Sequence, residues 1–237
     1  MSIREDQELN SRQDKFTAWK KLGFPLYPAV FSKTHTTAEV LTLSKAAELS
    51  VLEGDAVPAG TVVCTAGRLM TIRPHGSLWF ANLQDQSGKI QIAAVEGAVD
   101  KKLWELTQNL DMGDIVGVVG PVVKTKRGEV TVFATEIIPL AKNFHPLPEK
   151  WHGLKDIDAR LRQRYLDLMT SSEIRELFIK KSKFWVAVRS FLSTAGFLEV
   201  DTPALEAIAG GADANPFITH HDALDQNFYL RISLELP

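Results

Sequence analysis

The hydrophobic period of this chain changes at residue 61. From there to residue 140 five apolar, β-branched runs follow one another at 61–73, 77–85, 89–95, 114–125 and 129–140, separated by turn residues. One helical stretch, 99–109, falls between the third and fourth runs. A two-residue period packs one strand face inward, so this span reads as a small β-barrel between helical flanks. On one flank Phe16, Trp19 and Leu22 lie at helical spacing and end at Gly23 before Pro25, which predicts a short amphipathic helix over 10–22. A second helix is expected over 37–49.

Five strands with a helix at that place is the chain order of the OB-fold, which commonly binds single-stranded nucleic acid. Strand count alone leaves open another small β-barrel without a ligand. Composition narrows the possibilities. With 27 Lys+Arg against 29 Asp+Glu in 237 residues, the chain is no generally basic nucleic-acid binder, so any such binding must be local. A single cysteine, Cys64, excludes an internal disulfide framework and a multi-cysteine zinc site, and within a strand pattern it reads as a small buried residue. No apolar run is long enough to span a bilayer, and residues 1–10 are polar rather than a signal sequence, so a cytoplasmic, non-membrane protein is expected.

The strand arithmetic singles out one aromatic. A two-residue loop at Gln86-Ser87 pairs Asp85 with Gly88, Gln84 with Lys89 and Leu83 with Ile90. Trp79, Ala81, Leu83, Ile90, Ile92 and Ala94 then share a core face, whereas Phe80 shares the other with Asn82, Gln84, Lys89 and Gln91. An exposed ring among amides suits stacking of an unpaired base whose edge the amides read. The alternative is a ring covered by the N-terminal helix or a loop.

After residue 140, Pro146 and Pro148 mark a linker over 142–158. Thr170 and Glu173 have capping-box spacing before a broad apolar stripe that includes Ile174, Phe178, Trp185 and Phe191 and ends at Gly196. Short strands are expected over 197–200 and 228–236. Residues 155–191 hold nine Lys/Arg against five Asp/Glu, whereas 192–237 hold only Arg231 against seven acids. That end is either solvated loop or a surface whose partner lies elsewhere. His220 and His221, adjacent on a strand, point to opposite faces and read as structural or hydrogen-bonding residues rather than a chelating pair.

Longer runs carry a family resemblance. Gly67-Arg68-Leu69-Met70-Thr71-Ile72-Arg73, Phe80-Ala81-Asn82-Leu83-Gln84-Asp85 and Ser87-Gly88-Lys89-Ile90-Gln91 resemble the anticodon-binding domain of class II lysyl-tRNA synthetases. Trp151-His152-Gly153-Leu154-Lys155-Asp156 and Arg162-Gln163-Arg164-Tyr165-Leu166-Asp167-Leu168 resemble the interdomain region, and Gly196-Phe197-Leu198-Glu199-Val200-Asp201-Thr202-Pro203 resembles class II motif 1. Gly210-Gly211-Ala212, Pro216-Phe217-Ile218-Thr219-His220-His221 and Tyr229-Leu230-Arg231-Ile232 follow in the family's order.

The resemblance implies a mixed α+β chain: an N-terminal helical extension (1–59), a five-stranded OB-fold β-barrel (60–141), a linker (142–158) and the truncated start of an antiparallel class II catalytic domain (159–237). It implies a lysine–tRNA ligase that uses ATP and Mg²⁺, binds lysine and tRNA, and forms a homodimer. Phe80 would stack a central anticodon uridine, Gln91 and Glu136 would bond its edge, and Arg73 would contact a nearby base or backbone. Glu136 sits uneasily there, because simple alternation puts it on an apolar row with Val130, Val132 and Ala134, so either a bulge re-aims it or the register differs. Arg73 could equally be a solvated strand end. Gly210, Gly211 and Glu235 would hold the amino acid, although a plain turn and a surface acid are the alternatives. Phe197, Glu199 and Pro203 would lie at the dimer interface. The motif 2 and motif 3 arginines have no counterpart in these residues, which implies no catalysis by this portion alone. A stand-alone RNA-binding or regulatory module, or an aspartyl or asparaginyl relative, are the other readings.

Overall fold

A computed structural model describes residues 3–46, 49–52, 56–147 and 156–235. The chain divides into two compact units, residues 1–152 and 153–237.

In the first unit, strands β1 (Val62–His75), β2 (Leu78–Gln84), β3 (Lys89–Val95), β4 (Ile115–Lys124) and β5 (Val130–Phe133) form a closed ring. β1 pairs with β2 and β4, β2 with β3, β3 with β5 in parallel, and β5 with β4. This is the OB-fold order read from the sequence. The β2–β3 hairpin has the expected register, with Leu83 opposite Ile90 and Gln84 opposite Lys89. All six residues assigned to its core face are buried.

The fifth run is not one strand. It breaks after Phe133 and resumes as β6 (Glu136–Ala141), which lies on the same edge of β4 as β5 but farther along it. The Thr135 amide donates to the Val119 carbonyl at 2.9 Å, and the Ala134 amide to the Ala93 carbonyl at 2.7 Å. The two bonds aim at different strands, so the chain turns a corner. Gly120 makes the corner possible, because a Cβ there would lie 1.7 Å from the Phe133 carbonyl oxygen.

Helices close the unit. α1 (Ile3–Lys21) is longer than predicted, and its Trp19 is buried with the indole N–H donating to the Asn109 carbonyl at 3.1 Å. α2 (Thr37–Ala46) buries Val40, and a capping box absent from the sequence reading forms between Thr36 and Glu39. α3 (Lys101–Gln108) is capped by Asp100 and places Leu103 and Leu106 in the ring's core. Both N-terminal helices thus pack into the same unit as the ring. Cys64 is only half-buried, with its thiol against the Ser32 carbonyl, and burial pushes its pKa up.

A buried ion cluster ties α1 to the ring. The fully buried Lys142 ammonium reaches Asp111 at 2.6 Å and Asp114 at 2.9 Å, and Lys15 of α1 holds the other Asp111 oxygen at 2.6 Å. Two ammonium groups and two carboxylates cancel in charge, which offsets much of the desolvation cost. Burial pushes the Asp114 carboxyl above its usual range, whereas the two lysines hold Asp111 below it despite burial. Lys142, the first residue of the predicted linker, is therefore a core residue. Residues 148–155 of that linker lie outside the described residues.

The second unit contains α4 (Ile157–Arg162), α5 (Arg164–Thr170), α6 (Ser172–Thr194) and a sheet of order β7-β9-β8. Its strands are β7 (Leu205–Glu206), β8 (Ile218–His221) and β9 (Gln226–Leu230). Buried Asp167 accepts from Arg160 at 3.0 Å and from Arg164, joining α4 to α5. The cap of α6 is Ser171, whose hydroxyl accepts from the Ile174 amide, while Thr170 ends α5 by bonding back to the Leu166 carbonyl. Residues 197–200 join no sheet among the described residues, and the last strand ends at Leu230 rather than running on from 228 to 236. Neither pattern gains a neighbouring backbone to pair with, and a strand exists only through such pairing.

Two outcomes test this account. Gly120→Ala should cost ~2–3 kcal/mol of local stability, read as lost hydrogen-exchange protection at β4 and β5 amides. The second concerns Asp85, which accepts from the hydroxyls and backbone amides of Thr37 and Ser87. Burial alone would raise its pKa, but these bonds outweigh it and hold the carboxyl at about 2. A depressed folded pKa contributes stability that is present above the ordinary carboxylate range and lost as pH falls toward 2. Asp85→Ala should therefore lower urea stability by about 1 kcal/mol at pH 7, a difference that shrinks between pH 4 and pH 2.

Candidate nucleic-acid interface

The strand ladders place side chains of the outer ring face in rungs. Arg73, Phe80, Ala93 and Phe133 form one rung, and Thr71, Asn82, Gln91 and Thr131 form the next. Phe80 therefore rests on an apolar base. Leu52, Ala93, Val95, Val123 and Phe133 make a second buried cluster on this face, with Leu78 and Phe80 packed against it. Leu52 completes the cluster, held by its N–H donating to the Lys124 carbonyl at 2.8 Å. Phe80 is thus half-buried, anchored at its base and open toward a groove of about 640 Å³.

The groove is lined by Phe80, Gln91 and Arg73 of the predicted set, together with His75, Lys126, Arg127 and Glu129. Lys126 and Arg127 stand on a tight turn closed by Gly128 N–H donating to the Thr125 carbonyl at 2.8 Å, with Gly128 at a φ of 83°. Gln91 is 6% exposed, and each end of its carboxamide has a partner: its Nε2 donates to Glu129 Oε2 at 2.9 Å, and its Oε1 accepts from Thr131 Oγ1 at 2.8 Å. One aromatic face, one oriented amide, one carboxylate and a cationic rim can stack an unpaired base, bond its edge and attract its phosphates.

Glu136 is not brought to this groove. It opens β6 opposite Val119, which in turn faces Cys64 of β1, and it adds to the upward push on the Cys64 thiol. The corner at residues 134–135 carries it there. Glu129, which the sequence reading passed over, occupies the groove instead. The available signal was Gln91 itself, because an amide on a mostly apolar strand needs polar partners when buried.

In the second unit, Gly211 has a φ of 83°, and a Cβ on it would lie 2.9 Å from Ser233 Cβ and 3.5 Å from Glu235 Cβ. Gly210, Gly211 and Glu235 are thus neighbours. Arg231 braces the preceding segment, donating to the Thr202 and Pro203 carbonyls at 2.7 and 3.1 Å. Phe197 and Pro203 are exposed, and Glu199 pairs with Arg189 at 2.9 Å. His220 Nδ1 lies 2.9 Å from Asn227 Oδ1, and no three His, Cys, Asp or Glu side chains gather as metal ligands among the described residues. No helix among them is long and apolar enough to cross a membrane.

Comparison with known proteins agrees with both units. Residues 63–140 match the model of an OB-fold nucleic acid binding domain, and residues 156–236 match that of class II tRNA synthetases (D, K and N). The lysine–tRNA ligase of Carboxydothermus hydrogenoformans is 46% identical over 236 residues, covering 98% of this chain and 46% of that protein. Those of Moorella thermoacetica and Bacillus cereus are 45% and 44% identical, each over 100% of this chain. The chain spans about half the length of the curated relatives it matches.

The contact of Gly211 with Ser233 gives a checkable outcome. Gly211→Ala should cost about 1–2 kcal/mol locally and shift the amide resonances of Ser233 and Glu235 more than those of α6. Unmoved resonances at both positions would contradict the packing described.

Proposed function

Because the chain belongs to the class II lysyl-tRNA synthetases, we propose that it forms the anticodon-reading portion, and the start of the catalytic portion, of a lysine–tRNA ligase. The observation that carries this reading is the groove on the ring. Phe80 offers a π-face anchored from below, Gln91 and Glu129 offer a donor and an acceptor at its side, and Arg73, His75, Lys126 and Arg127 surround them. Stacking supplies affinity for an unpaired base, the polar pair distinguishes base edges, and the cations draw the phosphate backbone without reading sequence. In this reading Glu129 takes the edge-bonding role that the resemblance assigned to Glu136.

The remaining assignments follow from the same reading. Gly210, Gly211 and Glu235 would serve lysine, since a glycine backbone allows close approach and a carboxylate suits an ammonium group. Phe197, Glu199 and Pro203 would contribute to a homodimer interface, where the exposed apolar residues of α6 and motif 1 would find cover. ATP and Mg²⁺ belong to the reaction of the whole ligase, and none of these residues is assigned to hold either. The setting is the cytoplasm, where tRNA is charged. The 237 residues alone are expected to show no lysine-dependent ATP–pyrophosphate exchange above a protein-free control, because no arginine here is assigned to the α-phosphate.

Titration with a lysine anticodon stem-loop tests the reading. Phe80→Ala should weaken binding by about 5- to 150-fold, corresponding to ~1–3 kcal/mol for a stacked base, while Phe80→Tyr keeps most of the affinity. Lowering salt should strengthen wild type and both variants in parallel. Equal affinities for wild type and Phe80→Ala would overturn the assignment.

A further inference from the structure

We propose that Thr131 is a positioning residue of the base-reading groove, whose hydroxyl anchors the oxygen end of the Gln91 carboxamide in the orientation that Glu129 selects and so steadies the base edge the groove accepts. The inference rests on the anticodon reading of that groove. A carboxamide turned by 180° keeps its shape but exchanges donor for acceptor, so a base-reading glutamine needs something to choose its orientation.

Glu129 makes that choice, and Thr131 holds the other end of the amide in it. Glu129 is a carboxylate and can only accept, so the group 2.9 Å from its Oε2 must be the amide nitrogen of Gln91. That leaves Gln91 Oε1 facing Thr131 Oγ1 at 2.8 Å. The Thr131 hydroxyl has one proton and two acceptors in reach, Gln91 Oε1 and the Glu129 carbonyl at 3.1 Å. Were the proton spent on the carbonyl, two oxygens would meet lone pair to lone pair at 2.8 Å. The proton therefore goes to Gln91. Glu129 is exposed at the end of a turn, whereas Thr131 is wholly buried in β5, in register with Gln91. The rigid member of the pair is the threonine.

With the amide so held, one N–H of Gln91 and the free oxygen of Glu129 remain for a ligand. This donor–acceptor pair matches a pyrimidine that presents a carbonyl beside a protonated N3, as uracil does. Cytosine presents an amino group to the N–H and an unprotonated N3 to the carboxylate, and both contacts repel. Without the hydroxyl, Gln91 Oε1 is left buried without its donor and the amide is held from one side alone, by the exposed Glu129.

The test is titration of the full 237-residue chain with a lysine anticodon stem-loop and with a version carrying cytidine at the central base. Thr131→Val keeps the β-branched shape and removes only the hydroxyl. It should reduce the uridine-over-cytidine preference at least fivefold, leaving the salt dependence and the loss caused by Phe80→Ala unchanged, and Thr131→Ser should retain the preference. The Gln91 side-chain amide protons provide a readout that needs no RNA. They should resonate away from those of exposed glutamines in wild type and Thr131→Ser and move to the exposed positions in Thr131→Val. A wild-type chain that prefers uridine alongside an equally selective Thr131→Val would overturn the role of Thr131 alone. No preference in wild type would overturn the anticodon reading and this inference with it. Wild-type Gln91 amide protons at the exposed positions would overturn the inference without any variant, should Thr131→Val fail to fold.

Discussion

Gly120 lets two backbones approach more closely than any side chain would permit, and the geometry of the ring depends on that approach. The Phe133 carbonyl occupies the space where a Cβ at residue 120 would stand. The chain can therefore leave β5 and turn through Ala134 and Thr135. It then continues as β6 along the same edge of β4. One β-branched run thus serves two ends of a single strand. The first half closes the ring by pairing with β3 and brings Thr131 beside Gln91. The second half leads to Lys142 and Asn143. Without the corner, Glu129 and Thr131 could not stand against Gln91 while Lys142 reaches Asp111 and Asp114.

The buried cluster at the other end of β6 shows a second kind of constraint. Lys142, Asp111, Asp114 and Lys15 come from three separate parts of the chain and balance two charges of each sign. Removing one partner would strand a buried charge at a cost of about 3–5 kcal/mol. The cluster is reinforced by Asn143 N–H donating to Asp114 at 2.8 Å and by the largely buried Arg12, which donates to the Met112 and Asn143 carbonyls. It couples α1 to the ring.

The two units differ in how far their own residues satisfy them. In the first, apolar positions of the strands and of α1 and α3 meet in one core. In the second, Phe184, Trp185, Phe191 and Phe197 are half-exposed or more, and α6 has no buried residue. An apolar stripe of that width is read from the sequence as a helix that packs on something.

Local pattern alone determined the strand ring, its interrupting helix, the β2–β3 register and the two-sided hairpin that puts Phe80 opposite the core. Each follows from period, turn residues and loop length within a few tens of residues. That Phe80 and Gln91 share a face was legible for the same reason, since two strands joined by a two-residue loop have one register. What lay outside the pattern depended on contacts distant in sequence. The break at residues 134–135 has its cause in Gly120 on another strand, and within the run only the uneasy place of Glu136 on an apolar row pointed to it. The resemblance, not the strand period, put Glu136 where Glu129 stands. The cap of α6, the burial of Lys142 and the packing of Leu52 into the cluster beneath Phe80 were likewise decided by tertiary packing. A periodicity reports which face a residue is on, but not which distant backbone will cross it.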